Sequence, residues 1–115
     1  MIIAFDVDNT LLVLDEDNNI VTNEDVRALM VSIWKLGLAD IVVWSGGGAD
    51  YAEYATRDCG IKHMVSAYLG KGQTPALVDI AIDDQYVKLG LVNLKLAGDI
   101  EPTPWMAVGQ DNAKI

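Results

Sequence analysis

Internal disulfides are excluded by the thiol inventory, because Cys59 is the only cysteine in 115 residues. A lone thiol suits a reducing compartment. Long apolar runs are missing too; none approaches the roughly 20 residues that a bilayer-spanning helix requires. The opening Met1-Ile2-Ile3-Ala4-Phe5-Asp6 lacks the basic stretch and cleavage site of a secretory signal. A cytoplasmic location away from membranes is the expectation. Basic residues are scarce, with 8 Lys and Arg against 17 Asp and Glu and a net charge of −9. Such a surface repels phosphate backbones, which argues against nucleic acid as a partner. Repeats, low-complexity tracts and linker-like stretches are also lacking, which leaves one domain over residues 1–115.

What remains is a chain that is 51% apolar and 22% charged, the composition of a folded domain. A chain of this length can bury roughly two-thirds of its unfolded surface, enough for one core. Ile2 to Val7 is an apolar run broken only by Asp6, which suits a central strand covered on both faces. Val13-Leu14 and Ile20-Val21 flank the turn-forming Asp15-Glu16-Asp17-Asn18-Asn19, the pattern of a β-hairpin. Thr22 or Asn23 caps a helix with Glu24 and Asp25 in its first turn. Val26, Leu29, Met30, Ile33 and Trp34 recur at helical spacing, and Gly37 ends the helix. Asp40 to Trp44 reads as a buried strand, followed by the turn Ser45-Gly46-Gly47-Gly48. A second helix is expected from Ala49 to Asp58, closed by Gly60. A weaker strand signal covers Ile61 to Ser66, a glycine-rich loop Tyr68 to Pro75, and a strand Ala76 to Ile82 ending at Asp83-Asp84. A helical turn over Gln85 to Leu89 leads to a last strand, Val92 to Leu96. The tail 97–115 is expected to pack on the domain, with Trp105 docked. Alternation of strands and helices predicts an α/β domain with a mainly parallel sheet.

Ligands of such sheets bind beyond the carboxyl ends of the strands. Asp6 and Asp8 follow the first strand, Ser45 the second, and Asp83 and Asp84 the fourth, while Lys71 lies in the loop before the fourth. One rim therefore collects carboxylates, a hydroxyl, backbone amides and an ammonium. Crowded carboxylates repel unless a proton or cation intervenes, and magnesium is the hard cation that couples carboxylates to phosphate. The Ser45-Gly46-Gly47 turn offers a hydroxyl and amides to an anion, and Lys71 a compact positive charge. Singly, each group has a structural reading. Aspartates at strand ends cap turns or helices, Ser before glycines makes a turn, and an isolated lysine is solvated. Asp15 to Asp17 read as a solvated turn, His63 as a surface or partly buried residue, Cys59 as a small packed apolar group, and Trp34 and Trp44 as core.

Phe5-Asp6-Val7-Asp8-Asn9-Thr10-Leu11-Leu12 resembles the first signature of haloacid dehalogenase (HAD) superfamily phosphatases, Asp-x-Asp-x-Thr after an apolar strand. Val42-Val43-Trp44-Ser45-Gly46-Gly47 is similar to the second signature, Lys71 to the third, and Ile80-Ala81-Ile82-Asp83-Asp84 to the fourth. The resemblance runs in the family's order over residues 2 to 95. It implies a three-layer, Rossmann-like domain with a five-stranded, mainly parallel sheet and a β-hairpin flap after strand one. It also implies a Mg²⁺-dependent phosphatase acting on a small phosphorylated substrate. By that resemblance Asp6 is the nucleophile, forming an aspartyl-phosphate, and Asp8 the general acid and base. Ser45, Gly46 and Thr10 are assigned to the phosphate site, Thr10 by orienting the Asp6 loop. Asp6, Asp83 and the carbonyl of Asp8 hold the metal, with Asp84 as a further ligand or as support behind the ligands, and Lys71 stabilises the charge, with Lys62 as its substitute. Neither family insertion point has room for a cap domain, and capless members can borrow a second subunit as a lid, which is compatible with a homo-oligomer.

Two rival readings compete. One is a catalytically silent, phosphate- or metal-binding module on the same fold, with a regulatory or interaction role. The other is a receiver-like signalling domain, which would carry its phosphorylated aspartate after the third strand, where this sequence has Val65-Ser66.

Overall fold

The computed structural model describes residues 1–72 and 78–96. Its elements are β1 (Ile2–Asp6), β2 (Leu12–Leu14), β3 (Ile20–Thr22), α1 (Glu24–Lys35), β4 (Asp40–Ser45), α2 (Ala49–Ala55), β5 (Val65–Gly70), β6 (Ile80–Asp83) and β7 (Val92–Lys95). Five strands form one parallel sheet in the order β5-β4-β1-β6-β7, and β2 and β3 form a separate antiparallel pair. This is the α/β architecture with a parallel five-stranded sheet. No described helix is long and apolar enough to cross a membrane. The tail 97–115 with Trp105, and the start of the expected strand at Ala76, lie outside the described residues.

The central strand is buried because both its faces are used. Phe5 faces a cluster containing Val7, Ile41 and Val43, the α1 residues Val26, Met30 and Ile33, and Ala52 of α2. Ala4 faces the other way, with Val42, Trp44, Val78 and Ala81. Each fully buried aliphatic side chain contributes about 1.5–3 kcal/mol. Met30 is wholly enclosed, and truncating it to Ala would cost about 2–5 kcal/mol. The α1 start is set by Asn23, whose side chain accepts from the amides of Asp25 and Val26, and its end by Gly37 at φ 62°.

Both described helices pack on the Phe5 face. Right-handed crossovers from β1 to β4 to β5 run in one direction across the sheet and so place their helices on one side. The opposite face is met by Val78, Val87 and Leu89 from non-helical segments, so a third helical layer is not seen among the described residues. The helical turn expected over 85–89 is a loop instead. Asn93 explains it: its Oδ1 accepts from the amides of Leu89 and Gly90 at 2.9 and 2.8 Å, and its Nδ2 donates to the Gly90 carbonyl. Those contacts replace intrahelical bonds. Gly90 fits because a Cβ there would lie 3.0–3.1 Å from backbone atoms of Val92, Ala81 and Asp79.

Three further expectations need correction. Tyr68 to Gly70 belongs to β5, not a loop, whereas Lys62–Met64 is a 3₁₀ turn, not strand. Trp34 is not core: it is 44% exposed and stands edge-on to the His63 ring at 4.9 Å. The buried stripe of α1 is Val26, Met30 and Ile33, and Trp34 sits one position beyond it.

Candidate active site at the carboxyl edge of the sheet

Chain direction across the sheet reverses between β1 and β6. The chain moves outward from β1 through β4 to β5, then returns to β6 and β7 on the far side. Such a reversal opens a crevice at the carboxyl ends of the two adjacent strands. Phe5 pairs with Ile82, so the next residues, Asp6 and Asp83, end neighbouring strands side by side. Asp6 is 5% exposed and Asp83 fully buried.

Two buried carboxylates this close need compensation. Lys71 supplies part of it, its Nζ lying 3.2 Å from Asp6 Oδ1 and 2.9 Å from Asp83 Oδ2. Lys71 is delivered because β5 ends beside β4: Gly70 pairs with Ser45, and the Lys71 amide donates to the Ser45 carbonyl at 2.9 Å. Its ammonium also lies 4.7 Å from the centre of the buried Trp44 ring. Burial would lower the pKa of Lys71, but its hydrogen bonds and attraction to Asp83 and Asp6 raise it on balance. Lys62, by contrast, is an exposed lysine 3.5 Å from Glu53.

Asp84 completes a trio, with one carboxylate oxygen each from Asp6, Asp83 and Asp84 within 4.8 Å of one another. Burial, a hydrogen bond with Asp84 and the charge of Asp83 push Asp6 up to about 7, against the lowering influence of Lys71. Burial also acts to raise Asp84, yet hydrogen bonds with Asp6, Gln85 and Asp83 outweigh it and hold that carboxyl low. Of the three, Asp6 is therefore the carboxyl that takes a proton most readily. A hard divalent cation fits the donor set, since three converging carboxylates offer only oxygen and carry more negative charge than Lys71 neutralises.

The remaining groups surround this trio. Thr10 is fully buried and its hydroxyl donates to Asp6 Oδ2 at 3.4 Å. Asp8 lies outside the carboxylate trio and is exposed; the strand stops at Asp6, so the two side chains do not share a strand face. Ser45 is buried, and its Oγ accepts from the Gly47 amide at 3.0 Å, which leaves its hydroxyl proton for another acceptor. Gly46 faces Lys71, with Cδ 3.9 Å from where a Cβ would be.

Comparison with protein-family models, curated proteins and solved structures gave no match.

Two residues at the site are not among those expected from the sequence. The Tyr51 hydroxyl donates to Asp8 Oδ1 at 2.7 Å, and this bond raises the tyrosine's pKa. Gln85 donates its amide to Asp83 Oδ1 at 2.9 Å and its side-chain nitrogen to Asp84 Oδ2 at 3.2 Å. Gln85 could have been suspected, since the residue two beyond a buried aspartate often closes an Asx turn. Tyr51 could not, as 43 residues separate it from Asp8. A larger cleft of about 650 Å³ lies between the hairpin and the end of α2, but none of the residues named at this site lines it.

Proposed function

We propose that the protein is a Mg²⁺-dependent phosphohydrolase of HAD type, cleaving a small phosphomonoester through an aspartyl-phosphate on Asp6. The observation that carries this reading is the meeting of Asp6, Asp83 and Lys71 at the sheet's reversal point, three segments each matching a signature in the expected order. The strand order also speaks against a receiver-like domain: in chain order the parallel strands run 3-2-1-4-5, not 2-1-3-4-5. β5 ends at Gly70, and Lys71 follows where a receiver would carry its acid.

Asp6 attacks phosphorus, forming an acyl phosphate as the bond to the leaving oxygen breaks. Asp8 gives that oxygen its proton, then takes one from the water that attacks the acyl phosphate, and phosphate departs with Asp6 restored. Tyr51 holds the Asp8 carboxylate through its hydrogen bond. Thr10 orients Asp6, and Ser45 with the Gly46 amide receives phosphoryl oxygens. Lys71 offsets charge on the nucleophile and the phosphoryl group. Magnesium bound by Asp6, Asp83, Asp84 and the Asp8 carbonyl would neutralise phosphoryl charge and favour ionised Asp6. The antiparallel β2–β3 pair serves as the flap beside this opening.

The test is p-nitrophenyl phosphate turnover by the full chain with magnesium. Turnover should vanish in Asp6→Asn and Asp8→Asn while circular dichroism is retained. Wild-type-like activity in either variant would refute the role assignment.

A further inference from the structure

We infer that the aliphatic face of the β2–β3 hairpin forms a leaving-group subsite, selecting phosphomonoesters of apolar alcohols over those of sugars. This rests on the phosphohydrolase reading. The cleft concerned measures about 230 Å³ and is lined by Asp8, Asn9, Leu12, Val13, Leu14 and Ile20.

Its position follows from strand pairing. Leu12 pairs with Thr22 and Leu14 with Ile20, so Leu12, Leu14 and Ile20 share one face of the hairpin. A bridge between Asp8 and Leu12 starts that face beside Asp8. If Asp8 protonates the leaving oxygen, the group attached to that oxygen must lie against Asp8. Phosphate itself belongs near Lys71 and Gly46, which line a different cleft. The alcohol therefore extends toward the hairpin.

The chemistry of the wall selects what fits. Apart from Asp8, Asn9, held at φ 61°, is its only polar side chain among the described residues. A sugar entering here would leave most of its hydroxyls without partners, and stripping them of water is costly. An alkyl or aryl group would instead cover Leu14 and Ile20, which are 59% and 72% exposed. Covering such side chains is favourable in proportion to the apolar area removed from water. The volume accommodates a ring or short alkyl chain, not a large lipid.

The experiment compares n-hexyl phosphate with ribose 5-phosphate, both esters of primary alcohols, using the full-length protein with magnesium. The wild-type kcat/KM should favour the hexyl ester by at least about 10-fold. In Leu14→Ser/Ile20→Ser, changes confined to exposed side chains, the ratio should fall toward one. Equal turnover of the two esters by the wild type would overturn the inference, as would an unchanged ratio in a variant with wild-type circular dichroism. The wild-type ratio decides alone should the variant not fold. Failure to hydrolyse any ester, p-nitrophenyl phosphate included, would instead refute the phosphohydrolase reading. Hydrolysis of that ester without the hexyl preference would refute only the subsite.

Discussion

Tyr51 donates its hydroxyl to Asp8 Oδ1 at 2.7 Å, joining α2 to the loop after β1. The same tyrosine closes over the glycine turn, because a Cβ on Gly47 would lie 2.8 Å from its ring. One side chain thus links the proposed phosphate turn to the proposed proton donor. Tyr51→Phe should fold normally and slow hydrolysis of an unactivated alkyl phosphate about 10-fold, a fraction of what general acid catalysis contributes. p-Nitrophenyl phosphate, whose leaving group needs no proton, should lose less, since only the base step at Asp8 is then slowed. Equal losses on both esters would mean that Tyr51 does not serve the proton delivered to the leaving oxygen. Gly47→Ala should displace the ring and reproduce the split.

Lys71 bridges Asp6 and Asp83, and removing its charge leaves two buried carboxylates facing each other. Lys71→Met is expected to abolish turnover and to destabilise the metal-free protein. The lysine is about one-third exposed, so solvent screening limits the loss to about 1–2 kcal/mol. Lys62→Met should change neither activity nor denaturant midpoint by much, since among the described residues Lys62 pairs only with Glu53, in solvent. Comparable effects from the two lysines would contradict the assignment of Lys71.

Much of this edge was legible because strand ends are marked by apolar runs that stop at polar residues, as at Phe5-Asp6, Trp44-Ser45 and Ile82-Asp83. Ser45, Lys71 and the paired acids could be placed on one rim by topology alone. Tyr68-Leu69-Gly70 was illegible as strand, since Gly70 looks like a breaker; pairing with Ser45 overrides that preference. Residues 85–89 misled in the opposite direction, their helical composition being overruled by the Asn93 clamp. Trp34 shows the limit of helical periodicity, which locates a stripe but not its flank. Contacts such as Tyr51 with Asp8 depend on how two loops approach, and no local period encodes that.

Protonation of Asp6 gives a pH dependence whose sign is fixed. Its carboxyl is pushed up to about 7 in the folded protein, against about 3.9 when unfolded. Between those values the native state holds the extra proton, so the cation-free protein loses stability as pH rises through that window. Asp84 works oppositely: its lowered pKa gives stability present above the unfolded value and lost on acidification below it. A divalent cation that displaces the proton from Asp6 should therefore raise the melting temperature more at pH 8 than at pH 5. Thermal denaturation in magnesium and in EDTA at both pH values measures this. The same increment at both, or none, would argue against a cation held by the trio.

Asp83 and Asp84 are adjacent yet should behave differently when neutralised. Asp83 is fully buried, and its carboxylate accepts from Lys71 and from the Gln85 amide. Asp83→Asn leaves Lys71 with one anionic partner fewer inside the crevice, so it should cost about 2–3 kcal/mol and abolish activity. Asp84 is only partly buried, and an asparagine there can still hydrogen-bond Asp6 and the exposed Gln85, so Asp84→Asn should fold with little loss. Its effect should appear as a raised magnesium requirement, read as the concentration giving half-maximal turnover. If both served only to cap the turn after β6, each substitution would shift the denaturant midpoint and neither would change the magnesium dependence. A stability loss without a metal phenotype at Asp84 would therefore remove it from the cation site and leave Asp6 and Asp83 as the carboxylates that matter.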